Sequence, residues 1–140
     1  MTNKHSILYA EDDLDDLFMV QQVFEKHDHI QVVHAPNGQE ALNILEEMLK
    51  TNTKPCLVIL DINMPVLNGK ETLIKIKTNE KLKNIPIVLF TTSTNESEKQ
   101  FANEWNVEIF TKPIVYQDLA AIAKLFVDKC NFEVNKLKIS

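Results

Sequence analysis

Four short apolar runs in this 140-residue chain end on residues that can handle phosphate. Ile7-Leu8-Tyr9-Ala10 is followed by Glu11, Asp12 and Asp13, and Cys56-Leu57-Val58-Ile59-Leu60 by Asp61. Ile87-Val88-Leu89-Phe90 leads into Thr91, and Val107 to Phe110 into Thr111-Lys112-Pro113. Three or more carboxylates brought together repel one another, and without a counter-charge some of their pKa values must rise. A hard divalent cation with oxygen ligands and retained waters relieves that conflict, which suits Mg²⁺. Lys112 would add a fixed positive charge and Thr91 a hydroxyl donor. Those parts meet the needs of phosphoryl transfer: a carboxylate nucleophile, a metal on phosphate oxygens, and donors for the spreading negative charge.

Each piece alone is weak. An acidic run such as Glu11-Asp12-Asp13 is usually a solvated helix start, with Asp13 fit to be an N-cap. One Asp after a strand, or one Lys-Pro pair, says little. The conjunction at the ends of different apolar runs carries the reading.

The elements that would position these groups alternate between strand and helix. Leu14, Leu17, Phe18, Val20, Val23 and Phe24 recur at helical spacing, as do Ala41, Leu42, Ile44, Leu45, Met48 and Leu49. Val32-Val33 signals a second strand weakly, and Pro36-Asn37-Gly38 is turn chemistry. Leu73, Ile74 and Ile76 mark a third helix. Residues 95–106 read as a polar helix with Phe101, Ala102 and Trp105 on one side. A last, strongly apolar helix covers Leu119 to Cys130 and starts near Tyr116 or Gln117. Near-continuous apolar strands indicate a parallel sheet covered by helices on both faces. Function in such α/β sheets gathers at the carboxyl ends of the strands. The expected layout is one domain over residues 1–130, then a tail, 131–140, with no element assigned and no output domain.

Composition narrows the function classes. The chain is 44% hydrophobic and 25% charged, an ordinary globular balance. Its net charge of −5 offers no basic face for nucleic acid. No stretch has the apolar length to cross a bilayer, and Met1 to Ser6 lack a signal-peptide layout, so a cytoplasmic location is expected. Cys56 and Cys130 have no metal-ligand spacing and read as two reduced thiols. His5, His27, His29 and His34 form no ligand set. Gly38 is expected to serve a turn, and Gly69 to relax the chain before the third helix.

With these residues in place, the chain resembles the response-regulator receiver family from Lys4 to about Cys130. Leu60-Asp61-Ile62-Asn63-Met64-Pro65-Val66-Leu67-Asn68-Gly69 looks like that family's phosphorylation segment. Glu11-Asp12 resembles its acidic pair, Thr91 its hydroxyl position, and Lys112-Pro113 its lysine and proline. The resemblance implies a flavodoxin-like doubly wound sheet of five parallel strands in the order 2-1-3-4-5. It also implies that Asp61 accepts a phosphoryl group from a sensor histidine kinase. Asp12 would bind Mg²⁺ directly, Glu11 through water, Asp61 through a carboxylate oxygen and Asn63 through its main-chain carbonyl. Lys112 would pair with the acyl phosphate, Thr91 would move to bond a phosphoryl oxygen, and Thr92 would offer its backbone amide. Asn63 and Ser93 would flank the attacking water and tune the phosphoryl lifetime.

Output would pass through protein contact, with a possible homodimer through the face of the fourth helix, fifth strand and fifth helix. The downstream target is not indicated. The opening Glu-Asp-Asp-Leu-Asp-Asp is similar to receivers paired with phytochrome-like kinases. One departure stands out. The family usually carries Tyr or Phe three residues before the lysine, and here that position is Ile109. Either Phe110 serves through a shifted register, or the aromatic switch is absent. Two other functions compete: a haloacid-type phosphatase with an aspartyl nucleophile, and a pseudo-receiver that only docks. Asn63 stands where the phosphatase would need a second Asp, and the full set of site residues argues against the pseudo-receiver.

Overall fold

The computed structural model describes residues 4–92 and 94–139, with side chains through residue 136, so Ser93 lies outside the described residues. Five βα units follow in order: β1 (His5–Ala10), α1 (Leu14–Phe24), β2 (Ile30–Ala35), α2 (Gly38–Lys50), β3 (Leu57–Leu60), α3 (Gly69–Lys77), β4 (Ile87–Thr91), α4 (Glu96–Glu104), β5 (Glu108–Thr111) and α5 (Tyr116–Ile139). The strands are all parallel and lie in the order β2-β1-β3-β4-β5. The expected doubly wound, flavodoxin-like sheet is therefore what forms.

Register follows from the pleat. Successive side chains point to opposite faces, so a central strand must be apolar at each position that helices cover on both sides. Ile7, Tyr9, Leu57, Ile59, Val88 and Phe90 pack under α1 and α5. Leu8, Ala10, Val58, Leu60 and Leu89 pack under α2, α3 and α4. Burying each large apolar side chain contributes roughly 1.5–3 kcal/mol, so a one-residue slip that swapped the faces would be costly.

The helices on the site's rim begin at capped positions. Asp13 caps α1, its Oδ1 accepting the amides of Asp15 at 2.9 Å and Asp16 at 3.1 Å. Asn68 and Glu71 form a reciprocal capping box at the start of α3.

Several expectations are revised. Cys56 and Cys130 are joined as a disulfide, with Cα atoms 4.8 Å apart. Their 74-residue separation gave no sign of it, because the pairing follows from α5 lying across the start of β3. The tail is no separate segment, since α5 continues through it to Ile139. Gly38 and Gly69 both have ordinary negative φ, so turn conformation is not what they supply. Gly69 lets α3 start against the β3–α3 loop: a Cβ there would fall 2.8 Å from the Ile62 Cα and nearer still to the Asp61 carbonyl oxygen.

Candidate functional site

The acidic and basic groups meet at the carboxyl end of the sheet because β1 and β3 are neighbours and both end there. Glu11 follows β1 and its amide donates to the Ala35 carbonyl at 2.9 Å, while the Asp61 amide donates to the Ala10 carbonyl at 3.1 Å. Carboxylate oxygens of Glu11, Asp12 and Asp61 lie within 4.8 Å of one another, with Asp12 exposed and the other two buried. An all-oxygen set on an open rim is the donor chemistry of a hard divalent cation.

Lys112 reaches into this cluster from the end of β5. Its ammonium donates to Glu11 Oε1, to Asp16 Oδ2 at 2.9 Å and to Asp61 Oδ2 at 3.2 Å. Burial pulls this lysine's pKa down, but the bonds to Glu11 and Asp16 and the Asp61 charge outweigh it. The net shift is upward, so the ammonium stays charged. Glu11 is under-compensated: burial pushes its carboxyl up to about 7, against the hydrogen bonds from Lys112 and Tyr9.

Thr91 closes β4 beside β3. Its hydroxyl is buried, and its Oγ1 finds no hydrogen-bond partner among the described residues. An orphaned buried hydroxyl costs free energy in a folded core, and a polar ligand on the rim would relieve it. Thr92 is exposed just beyond, and Asn63 is exposed two residues past Asp61. Glu11, Asp12, Asp61 and Lys112 are thus brought together, while Thr91 stands at the end of the adjacent strand.

The two candidates for an aromatic switch separate. Ile109 pairs with Leu89 and packs on the α2–α3–α4 side. Thr91, two residues past Leu89, shares that face of the sheet. Phe110 points the other way, its ring edge-on to Phe126 with centroids 5.1 Å apart. No register shift brings Phe110 to the Thr91 side, so Phe110 is core packing under α5, and the position on the Thr91 side is aliphatic.

Three contributors escaped sequence reasoning. Tyr9, buried in the core, donates its hydroxyl to Glu11 Oε1 at 2.6 Å. Burial first, and the Glu11 charge second, push its phenol well above the ordinary value, so it remains a donor. His34 Nε2 lies 2.7 Å from the Glu11 carbonyl oxygen and pins the turn after β1. Asp16 holds Lys112. Asp15 is an acid in the same first turn of α1, so position alone does not single Asp16 out.

The family model described as "Response regulator receiver domain" matches residues 7–124. Response regulator Rcp1 of Synechocystis is 35% identical over 118 residues, covering 81% of this chain and 80% of that protein. A crystal structure of the phosphorylated cyanobacterial phytochrome response regulator RcpA superimposes with a TM-score of 0.79 at 29% identity, over 88% of this chain and 91% of the other. The Mn²⁺-bound form of Rcp1 gives 0.75 at 32% identity, over 85% and 88%. The chain belongs to the response regulator receiver domain family. It is accordingly a two-component signalling module, similar to stand-alone receivers in those matches. Among the described residues no helix is long and apolar enough to cross a membrane.

Proposed function

We propose that this receiver accepts a phosphoryl group on Asp61 from the phosphohistidine of a sensor histidine kinase, with Mg²⁺ bound at Glu11, Asp12, Asp61 and the Asn63 main-chain carbonyl. One observation carries the reading: the Lys112 ammonium lies 3.2 Å from Asp61 Oδ2 at the rim where the Glu11 and Asp12 carboxylates converge. The Mn²⁺-bound form of the relative Rcp1 supports a divalent cation at this kind of site. The oxygen donor set and the unpartnered Thr91 hydroxyl fit it.

Asp61 is the nucleophile. One carboxylate oxygen forms the O–P bond as the N–P bond breaks, and the imidazole nitrogen leaves with the electron pair. A bound Mg²⁺ supplies charge neutralisation at the phosphoryl oxygens. Lys112 stabilises the charge that develops on those oxygens and holds Asp61 in line. Thr91 gains the partner it lacks by donating to a phosphoryl oxygen, and Thr92 contributes its amide. Asn63, exposed two residues past Asp61, flanks the approach of the water that later hydrolyses the acyl phosphate.

Phosphorylation adds roughly −1.5 to −2 charge and three acceptor oxygens. Drawing Thr91 and Lys112 toward them biases the loops after β4 and β5, and so the α4–β5–α5 face. We read that face as the output surface, through a downstream protein or a homodimer, in the cytoplasm. Exposed Leu14 and Phe18, one turn apart on α1, and exposed Ile114 and Val115 just after Lys112-Pro113 support docking of the kinase beside the acceptor. Family membership favours this over the phosphatase reading.

Phosphotransfer profiling against candidate kinases with Mg²⁺ tests the function. Transfer from one kinase to the wild-type chain, lost on adding a chelator, is expected; absence of transfer from every kinase and from acetyl phosphate would refute it.

A further inference from the structure

A lysine ammonium has three N–H donors and no acceptor. Lys112 directs all three at protein carboxylates: Glu11, Asp16 and Asp61. These three partners differ in how freely they can let go. Glu11 is fully buried and is held from two further sides, by the Tyr9 hydroxyl and by the Asp13 amide at 3.2 Å. Asp61 is the acceptor, and its share of the ammonium passes to the phosphoryl group once the O–P bond forms. Asp16 stands in the first turn of α1 with a third of its side chain exposed, and among the described residues its carboxylate has no hydrogen-bond donor other than Lys112. It is the carboxylate that water can take over.

We propose that Asp16 is a positioning residue that holds the Lys112 ammonium over Asp61 in the unphosphorylated state and competes with the phosphoryl oxygens for it. The inference rests on Asp61 being the phospho-acceptor. A phosphoryl group brings three acceptor oxygens to a cation that can offer them only the N–H Asp61 gives up, and Asp16 is the partner placed to yield a second. Its negative charge also opposes an incoming anion at short range. Asp16 therefore lowers the receiver's affinity for a phosphoryl group and, with Glu11 and Asp61, keeps the Lys112 ammonium ordered in the empty site.

The test is equilibrium binding of beryllofluoride, a phosphoryl mimic, to the full chain at saturating Mg²⁺, followed by NMR. Asp16→Asn keeps shape and removes charge. It should bind roughly three- to tenfold more tightly than wild type, a modest gain because the pair is partly solvated. Asp16→Ser should do the same, which keeps the test open if the asparagine variant folds poorly. Asp16→Glu should restore wild-type affinity to within about twofold, since a carboxylate again reaches the ammonium. Asp15→Asn removes the same charge from an exposed neighbour on the same helical turn and should change affinity less than about twofold. Unchanged or weaker binding by both neutral variants overturns the role of Asp16, as does an equal gain in Asp15→Asn. A wild-type chain that binds no beryllofluoride overturns instead the acceptor reading beneath it.

Discussion

The backbone amide of Lys112 donates to the carbonyl oxygen of Thr91 at 2.7 Å, tying the ends of β5 and β4 together at the rim. The residues carrying the rim cation and the buried hydroxyl are therefore joined through the main chain. A displacement of one is felt by the other without an aromatic side chain between them.

Lys112 is the only ammonium in contact with the buried carboxylates among the described residues. Replacing it with Met leaves Glu11 and Asp61 buried without their cation. At pH 7.5 in chelator, urea unfolding should show a loss of about 3–5 kcal/mol, the range for breaking a buried pair from one side. The loss should shrink near pH 5, as Glu11 takes up its proton. Equal losses at both pH values would contradict this account of the cluster.

Glu11 sets a pH dependence of its own. Its folded carboxyl titrates near 7, raised by burial from an ordinary value of 4.5. A raised carboxyl pKa means the folded state binds more protons, so its contribution is most favourable below 4.5 and is lost as pH rises through 7. Lys112, also raised, stabilises throughout that window and adds no slope there. Metal-free protein should thus lose stability between pH 4.5 and 7, and Glu11→Gln should flatten that segment of the curve. Mg²⁺ should offset the loss at the upper end. Denaturant midpoints across pH, with and without Mg²⁺, provide the check.

Gly69 is a spacing requirement. Its amide donates to the Ile62 carbonyl at 2.8 Å, and an added Cβ would press on Asp61 and Ile62 main-chain atoms, which cannot rotate away. Gly69→Ala should cost about 1–3 kcal/mol as an overpacked contact. It should also slow phosphorylation by acetyl phosphate, because the displaced backbone carries the acceptor. A variant phosphorylated at the wild-type rate would show that the loop adapts without moving Asp61.

The Cys56–Cys130 disulfide ties the start of β3 to α5 and closes a long loop, its ends 74 positions apart in the sequence. Chain-entropy arguments assign such a loop about 4 kcal/mol, less any strain. Cys130→Ser should lower the unfolding free energy by about 2–4 kcal/mol in non-reducing buffer, and much less with strong reductant in the denaturant. Intact mass under denaturing, non-reducing conditions should show the wild-type chain lighter by two hydrogens than after reduction.

Most of the fold could be read from the chain because residues 7–10, 57–60 and 87–90 form unbroken apolar runs in β1, β3 and β4 and give way abruptly to polar or charged residues. That pattern belongs to buried parallel strands, and parallel strands bring their carboxyl ends to one rim. Asp61, Glu11, Asp12, Thr91 and Lys112 were visible for that reason. Asp16 was not, because nothing in one sequence tells an acid facing the neighbouring strand end from an acid facing water. Tyr9 read as plain core, since its hydroxyl finds a partner only after Glu11 turns back over the sheet. The disulfide depends on where α5 crosses β3, a tertiary fact without local trace. The tail escaped because its mixed apolar and polar residues carry no marked helical stripe, yet α5 extends through it.

The most direct test locates the phosphoryl group itself. The wild-type chain and Asp61→Asn are incubated with acetyl phosphate and Mg²⁺, and intact mass is followed by peptide mapping. One phosphoryl adduct, on Asp61, is expected in the wild type and none in Asp61→Asn. An adduct of normal yield in Asp61→Asn, or one mapping elsewhere in the wild type, would contradict Asp61 as the acceptor.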